Sequence, residues 1–364
     1  MRHPAFAGDV TRDDLLAWYR ANRARTRELF DLVLPGAYFD RPIALRNPIV
    51  FYEGHLPAFS VNTLIKRTKN RRGIDERLET LFARGIDPED EASVQSPADL
   101  WPSREEVQAY GRAADALVEE ALTEADEAAF TILEHEQMHQ ETLLYMLHAL
   151  AHEKKRPSPW PSPRAAGRGE RVRVPAGRTT LGTEDGFFGW DNEFSSHDVD
   201  VPAFTIDSHA VTNGEYLEYM QATGAKAPHF WARGEREWLW RGMFAMEPLP
   251  LDGPVYATHE EASAYARWKG ARLATEAEWH RAHDCGVSDV TGQGWEWTST
   301  LFAPFPGFQP MASYPEYSVD FFDEAHYVLK GASPVTPREL IRPSFRNWFR
   351  PAYPYVYATF RCAR

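Results

Sequence analysis

The chain has 364 residues, of which 43% are hydrophobic, so it is longer than one core usually supports and two domains are expected. Its formal net charge of −13 argues against a nucleic acid or an anionic membrane as a partner, because phosphate groups are bound by basic surfaces. Two cysteines, Cys285 and Cys362, are too few for a disulfide scaffold or a cysteine-based zinc site.

The first 155 residues are predicted to be helical. Thr11 or Asp13 can cap a first helix that extends to about residue 33, since apolar side chains recur there near helical spacing. A second helix is predicted over residues 48–67. Ser103 begins a third, because it forms a capping-box pattern with the glutamate three positions later.

The fourth predicted helix, residues 124–152, carries the most informative motif of the chain. This stretch is rich in Ala, Leu, Glu and Met and contains neither Gly nor Pro. His135 and His139 lie four positions apart, so their side chains project from one helix face and can bind one metal ion. Four helices around an inward-facing metal site form a recurring bundle arrangement.

Three interpretations of this motif are open. The segment from His135 to His139 matches H-E-x-x-H, in which Glu136 would be the general base of a zinc peptidase. It also fits a non-haem iron site completed by a histidine from elsewhere in the chain. The third interpretation is a helix with two surface histidines and no ligand.

A proline-rich stretch separates the helical region from a region of different character. Four prolines within residues 154–164 favour an extended linker. Beyond it, a short β-type run at 199–201, frequent Gly and Pro turns, and two amphipathic helices near 213–223 and 260–269 predict a mixed domain. The predicted division is 1–155 for the helical domain, 156–170 for the linker and 171–364 for the mixed domain.

The sequence gives no sign of targeting to a membrane. The first residues lack an apolar segment of signal-peptide length, and no run approaches the roughly 18 apolar residues of a membrane span. We therefore expect a cytoplasmic protein.

The second half contains an ordered set of motifs that resembles the formylglycine-generating-enzyme-like, C-type-lectin-related module. The longest are Val211-Thr212-Asn213-Gly214-Glu215-Tyr216, Arg272-Leu273-Ala274-Thr275-Glu276-Ala277-Glu278-Trp279, Trp295-Glu296-Trp297-Thr298 and Lys330-Gly331-Ala332-Ser333. With the histidine motif of the first half, the chain resembles the sulfoxide synthases of ergothioneine and ovothiol biosynthesis. This resemblance implies an α+β protein in which a DinB-like four-helix bundle precedes the lectin-like module.

The resemblance also implies a ligand set. In these synthases the bundle supplies two metal histidines from an H-x-x-x-H-x-E motif, matched here by His135, His139 and Glu141. The third ligand comes from an earlier helix, and His55 lies where it is expected. Glu141 lies about 200° around the helix from His139, so it cannot share the ligand face. It is expected to have a structural role or to support a ligand residue without binding the metal. The implied cofactor is Fe(II), with O2 as co-substrate.

A proton donor near the iron is expected to be a tyrosine, by analogy with the same enzymes. Tyr314 and Tyr317 are the candidates, since their segment corresponds to the active-site loop of the lectin-like module. Tyr52, close to His55 in sequence, is a further contender. The competing interpretation is that these tyrosines only pack in the core.

Substrate binding is assigned to the end of the chain and to one position before the last ligand. Arg346 and Arg350 could bind a substrate carboxylate, and Asn347 could hydrogen-bond an amino-acid arm, with structural salt bridges as the alternative. Met138 and Phe349 replace polar residues of the ergothioneine branch, so they are expected to alter substrate contacts. With ligands before residue 140 and these residues after 310, the site is expected to draw on both domains.

The implied reaction joins the imidazole of hercynine or histidine to the sulfur of cysteine or γ-glutamylcysteine and oxidises that sulfur. Small-molecule substrates, a histidine derivative and a thiol, are therefore expected. An ovothiol-type enzyme acting on histidine, or a related enzyme forming C–S or C–Se bonds, is the first alternative. A zinc peptidase and a non-catalytic binding protein are the alternatives from other classes.

Overall fold

The computed structural model describes residues 1–83, 101–158, 170–287 and 292–364. The chain divides into two compact units, Met1–Pro159 with Ala312–Tyr314, and Trp160–Met311 with Pro315–Arg364. The first is helical and the second mixed, which confirms the predicted order. Most of the predicted linker, residues 156–170, lies outside the described residues.

The first unit is built from helices that begin where the sequence provides caps. The Thr11 hydroxyl accepts the Asp14 amide, and the Asp14 carboxylate accepts the Thr11 amide, which closes a capping box at the first helix. The Ser103 hydroxyl accepts the amide of Glu106 at the start of another. The α-helices described in this unit are α1 (Arg12–Asp31), α2 (Ile49–Ser60), α3 (Glu76–Leu81), α4 (Arg104–Ala121) and α5 (Glu127–Ala149).

Helix α2 is the central helix of this unit. Nearly all of its residues are buried, and it packs against α4 and α5, while α1 packs along α5. At Ser60 it continues directly into a π-helical segment, Val61–Thr68. The sequence predicted one continuous helix to residue 67, so the wider turn of its last eight residues is a difference from the prediction.

The second unit combines short helices with small sheets. Its described helices are α6 (Asn213–Thr223), α7 (His259–Trp268) and α8 (Glu276–Asp284). Each starts after a threonine whose hydroxyl and a glutamate three positions later form a capping box. The helix predicted at 213–223 is confirmed, and the one predicted at 260–269 lies one residue earlier.

The strands form four sheets within the described residues. One has the order β1-β4-β13-β8 and a second β11-β10-β9-β12, while β2 pairs with β3 and β5-β6-β7 form a meander. Their bounds are β1 (Arg171–Val174), β2 (Gly177–Leu181), β3 (His197–Val201), β4 (Phe204–Asp207), β5 (Trp231–Arg233), β6 (Trp238–Arg241), β7 (Met246–Pro248), β8 (Arg272–Leu273), β9 (Gly294–Leu301), β10 (Tyr327–Ala332), β11 (Asn347–Phe349), β12 (Ala358–Thr359) and β13 (Cys362–Ala363). The β-run predicted at 199–201 lies within β3.

None of the helices in the described ranges combines the length and the apolar composition that crossing a bilayer requires.

Candidate metal centre

Three histidines meet inside the first unit. His55 comes from α2, whereas His135 and His139 come from α5, and one ring nitrogen of each lies within 4.8 Å of the others. The ring centroids are 4.5 Å apart for the α5 pair and 4.9 to 5.1 Å apart from His55 to each of them. The i, i+4 spacing places the α5 pair on one face, and the packing of α2 on α5 supplies the third ring. The structure thus brings the three predicted ligands together.

Burial keeps these imidazoles neutral. The side chains of His55 and His135 are buried, and His139 is half-buried. Burial lowers the pKa of His55 to about 4, against a hydrogen bond that opposes the shift. The pKa values of His135 and His139 are held well below the usual range by burial, then by neighbouring histidines, and for His139 also by the charge of Arg46. Neutral imidazole is the form that binds a metal ion.

The orientation of His55 is set by the end of α3. Its Nδ1 lies 2.9 Å from the carbonyl oxygen of Phe82, the residue after the last of α3, where carbonyls lack intrahelical partners. Because a carbonyl only accepts, Nδ1 carries the proton and Nε2 keeps its lone pair for a ligand. A Cβ on Gly54 would lie 2.4 Å from the Phe82 ring, so this approach requires glycine there. Sequence reasoning missed Phe82, although the glycine before His55 was a visible signal.

Aromatic rings enclose the cluster. Phe51 stacks on His55 with centroids 5.0 Å apart, and Phe59 stacks on His135 at 3.4 Å. Tyr52 lies 5.7 Å from His139, centroid to centroid. These rings exclude water from the histidines and contribute to the burial that depresses their pKa values.

The donor set fits a transition metal. Nδ1 of His139 is buried and has no hydrogen-bond partner among the described residues, an arrangement that costs free energy unless a ligand engages the ring. Three neutral imidazoles suit Fe(II) as well as Zn(II), and three protein ligands leave positions open for substrate. A surface location for these histidines, the third interpretation of the motif, does not agree with their burial.

The carboxylate of Glu136 is bound by side chains of α1. One carboxylate oxygen accepts the guanidinium of Arg23 at 2.9 Å and the hydroxyl of Thr26 at 2.6 Å, both on α1. The glutamate is buried, and Arg23 extends the network to Asp115 at 2.8 Å. A carboxylate held in this way is poorly placed to take a proton at a metal, so the structure disfavours the zinc peptidase.

The other glutamate of the motif, unlike Glu136, has its hydrogen-bond partner on its own helix. Glu141 is buried and accepts the hydroxyl of Tyr145. This contact favours the structural role that its position on the helix suggested. Met138, directly before His139, is half-buried on α5, and its proposed contact with substrate stays a prediction.

The two candidate tyrosines lie in different units. Tyr314 belongs to the helical unit, where its ring is edge-on to Phe59 at 5.0 Å and to His135 at 6.1 Å. Tyr317 belongs to the second unit and stacks on Trp190 at 4.0 Å. The structure therefore brings Tyr314 to the histidines and gives Tyr317 an aromatic packing partner. Tyr52 remains the second contender.

The C-terminal substrate candidates make contacts within the second unit. Arg346 is buried, with Nε 2.9 Å from a carboxylate oxygen of Glu276, and its other donors reach the second oxygen and two carbonyls. These contacts favour the structural alternative for Arg346. The Asn347 side chain accepts the next amide at 2.9 Å, and Phe349 stacks on an aromatic ring at 5.1 Å. Arg350 is exposed, 4.0 Å from Asp323. Substrate binding by these residues stays a prediction.

Comparison with known families agrees with this architecture. Residues 157–284 and 280–364 match the sulfatase-modifying factor enzyme 1-like domain, and residues 19–156 match the DinB superfamily. These matches confirm the predicted fold class, a DinB-like helical region followed by a lectin-like mixed domain.

Three relatives show which proteins the chain is similar to. A hercynine oxygenase from Mycolicibacterium thermoresistibile is 32% identical over 66% of this chain and 69% of its own length. The hercynine oxygenase of Mycobacterium tuberculosis is 33% identical, covering 48% of this chain and 55% of that protein. Ergothioneine biosynthesis protein 1 of Neurospora crassa is 27% identical over 89% of this chain and 54% of that protein. The chain thus spans about half the length of the last two.

Proposed function

Because the chain belongs to the family that joins a DinB-superfamily region to a sulfatase-modifying factor enzyme 1-like domain and includes the hercynine oxygenases, we propose that it is an Fe(II)- and O2-dependent sulfoxide synthase. The observation that carries the proposal is the buried cluster of His55, His135 and His139. A neutral three-histidine set among aromatic rings suits Fe(II) and leaves positions open for the two substrates and O2.

The proposed reaction balances without a further redox partner. The imidazole of hercynine or histidine loses a C–H bond, the thiol of cysteine or γ-glutamylcysteine loses its S–H bond, and a C–S bond forms, which releases two electrons. Oxidation of the sulfur to the sulfoxide releases two more. O2 accepts all four, placing one oxygen atom on sulfur and the other in water with the two protons.

The chain's own residues would hold the ion and exclude water. His55, His135 and His139 bind the ion as neutral ligands, and bound Fe(II) supplies the capacity to react with O2. The Phe82 carbonyl keeps the His55 lone pair directed to the cluster, and the rings of Phe51 and Phe59 keep the surroundings dry. Tyr314, edge-on to His135, is the proposed proton donor.

A substrate panel tests the proposal. The protein is loaded with Fe(II) without oxygen, each imidazole is paired with each thiol, air is admitted, and products are identified by mass spectrometry. We expect one pairing to give a sulfoxide-linked product that retains one atom from 18O2. His139→Ala should give none, whereas His283→Ala, which changes a histidine outside the cluster, should resemble the wild type.

The panel also separates the branches of the family. A product from hercynine indicates the ergothioneine type, and a product from histidine indicates the ovothiol type. We favour hercynine, because two of the relatives above are named hercynine oxygenases. Absence of a linked product from every pairing, with iron bound at the cluster, contradicts the proposed function.

A further inference from the structure

Ser313 is held to the helical unit through all of its polar groups. Its amide donates to the carboxylate of Glu127 at 2.8 Å, and its carbonyl accepts the guanidinium of Arg67 at 3.0 Å. Its hydroxyl lies 2.9 Å from that of Thr131. Both Ser313 and Thr131 are buried. A residue with its N–H, O–H and C=O each bound to a different side chain has little rotational freedom.

The direction of the hydroxyl contact follows from its neighbours. The Thr131 hydroxyl lies 2.7 Å from the carbonyl oxygen of Glu127, to which it must donate its single proton. The Ser313 hydroxyl is therefore the donor in the contact with Thr131. Replacing Thr131 by a residue without a hydroxyl leaves a buried donor on Ser313 without that acceptor.

The partners of Ser313 lie on the same helix faces as the metal cluster. Glu127 and Thr131 precede His135 by two turns and one turn on α5, at the i, i+4 spacing that also relates His135 to His139. Arg67 follows Phe59 by eight residues and lies in the π-helical segment. In an α-helix, every fourth residue lies about 40° further around the helix axis. A π-helical turn contains more residues, so each residue rotates the chain by less and the offset is reduced. This helps keep Arg67 near the face of His55 and Phe59.

We infer that Glu127, Thr131 and Arg67 form a clamp on Ser313 whose role is to position Tyr314. Tyr314 follows the clamped residue directly, and its ring meets Phe59 and His135 edge-on, at interplanar angles of 70° and 78°. Phe59 is itself stacked on His135, so the tyrosine ring rests on a ligand and on that ligand's stacking partner. The three clamp residues act through Tyr314, and none of them belongs to the histidine cluster.

The inference rests on the proposed function for its kinetic readout, and a second readout is independent of catalysis. Thr131→Val removes the hydroxyl at nearly constant shape, and Thr131→Ser restores it. Thr142→Val is the matched control, because Thr142 makes the same i to i−4 bond, to the carbonyl of Met138, eleven residues further along α5. Each substitution is made in the wild type and in Tyr314→Phe.

The expected kinetic result is a coupling that disappears with the tyrosine. Thr131→Val should lower kcat by roughly ten- to a hundredfold with iron stoichiometry unchanged, as a displaced catalytic group does. Thr131→Ser should restore the rate, and Thr142→Val should stay within about twofold of the wild type. In Tyr314→Phe the Thr131→Val change should have no further effect, because the group it positions is absent. An equal loss in both backgrounds overturns the inference.

Hydrogen exchange tests whether the clamp holds Ser313, even if the wild type forms no product. A wild type that forms no product would contradict the proposed function but not the clamp. Peptides that span Ser313 should exchange faster in Thr131→Val than in wild type, Thr131→Ser or Thr142→Val, because the Ser313 amide is held by the same clamp. Unchanged exchange overturns the inference whatever the kinetics show. Faster exchange with full activity overturns it too, since the clamp would then position nothing that the reaction uses.

Discussion

The two units contain buried polar clusters of opposite design. In the second unit, the carboxylate of Glu276 is bound by Arg346 at 2.9 Å and lies 3.5 Å from the ammonium of Lys330, and all three side chains are buried. In the helical unit, the histidine cluster has no carboxylate within the set, and Nδ1 of His139 has no partner among the described residues. The charges of the Glu276 cluster are paired with one another, whereas the histidine cluster keeps a ring nitrogen to which no other described residue is hydrogen-bonded.

This difference separates structural from functional polar residues. Burial alone would raise the pKa of Glu276, yet its two cationic neighbours hold that pKa below the usual value, so the carboxylate stays charged and paired. The histidines instead avoid charge altogether, with pKa values lowered by burial. Both clusters contain motif residues that sequence reasoning singled out, and their partners decide which of them can bind a ligand.

The largest expected effect is on the metal. His139→Ala removes one of three ligands and should abolish iron binding, because the two remaining imidazoles form an incomplete site. Metal analysis after reconstitution and desalting measures it, with His283→Ala as the control that should retain a full complement. Retention of iron in His139→Ala would mean that the cluster is not the site.

Substitutions in the cluster of Glu276, Arg346 and Lys330 should change the stability of the protein and not its metal content. Glu276→Gln leaves Arg346 and Lys330 buried without their counter-charge, so we expect a loss of about 3–5 kcal/mol in the free energy of unfolding. Glu278→Gln on the same helix is the control, since its partner Arg272 is partly exposed and about 1 kcal/mol is expected. Denaturant titration gives both values. Equal losses would contradict the account.

The histidine cluster should make the metal-free protein sensitive to acid. The unfolded chain protonates His55 below about 6.5, whereas the folded chain does so only near pH 4, so stability falls as the pH decreases through this window. The slope attributable to His55 is about 1.4 kcal/mol per pH unit, or about 3 kcal/mol in total. The difference in stability between wild type and His55→Gln, measured from pH 6.5 to 4.5, isolates this contribution. A constant difference would contradict the lowered pKa.

The smallest effect concerns the orientation of His55. Gly54→Ala should push away the Phe82 ring and weaken the bond from His55 to the Phe82 carbonyl, lowering iron affinity about ten- to a hundredfold. Gly111→Ala is the matched control in the same unit, because a Cβ there would meet nothing closer than 3.7 Å. Competition with a metal chelator measures the affinity. A similar affinity in both variants would show that Phe82 does not orient the ligand.

The sequence predicted those parts of the site that depend on local spacing. His135 and His139 were identified from their separation on one predicted helix, and that helix, predicted over residues 124–152, is observed as Glu127–Ala149. His55 came from resemblance to the synthases, since nothing in its local pattern distinguishes a ligand from a helix-end histidine. The fold class followed from a resemblance that rests on the histidine motif of the first half and the ordered motifs of the second.

Other parts depend on contacts between distant residues and could not be predicted. The bond from His55 to Phe82 joins residues 27 positions apart, and the bond from Ser313 to Thr131 joins residues 182 positions apart. Arg346 was predicted to bind a substrate carboxylate because of its residue type and its position near the end of the chain. Its guanidinium is instead paired with the carboxylate of Glu276. The sequence also placed Tyr314 with the second domain, whereas Ala312–Tyr314 cluster with the helices.

The central claim is that His55, His135 and His139 bind one ion. X-ray absorption spectroscopy on protein loaded with one equivalent of Fe(II) under argon tests it directly, with His55→Ala as the comparison. We predict scattering from three imidazole rings in the wild type, and in the variant the spectrum of iron that is not held at the cluster, because the two remaining imidazoles form an incomplete site. Fewer than three rings in the wild type, or identical spectra for the two proteins, would contradict the account.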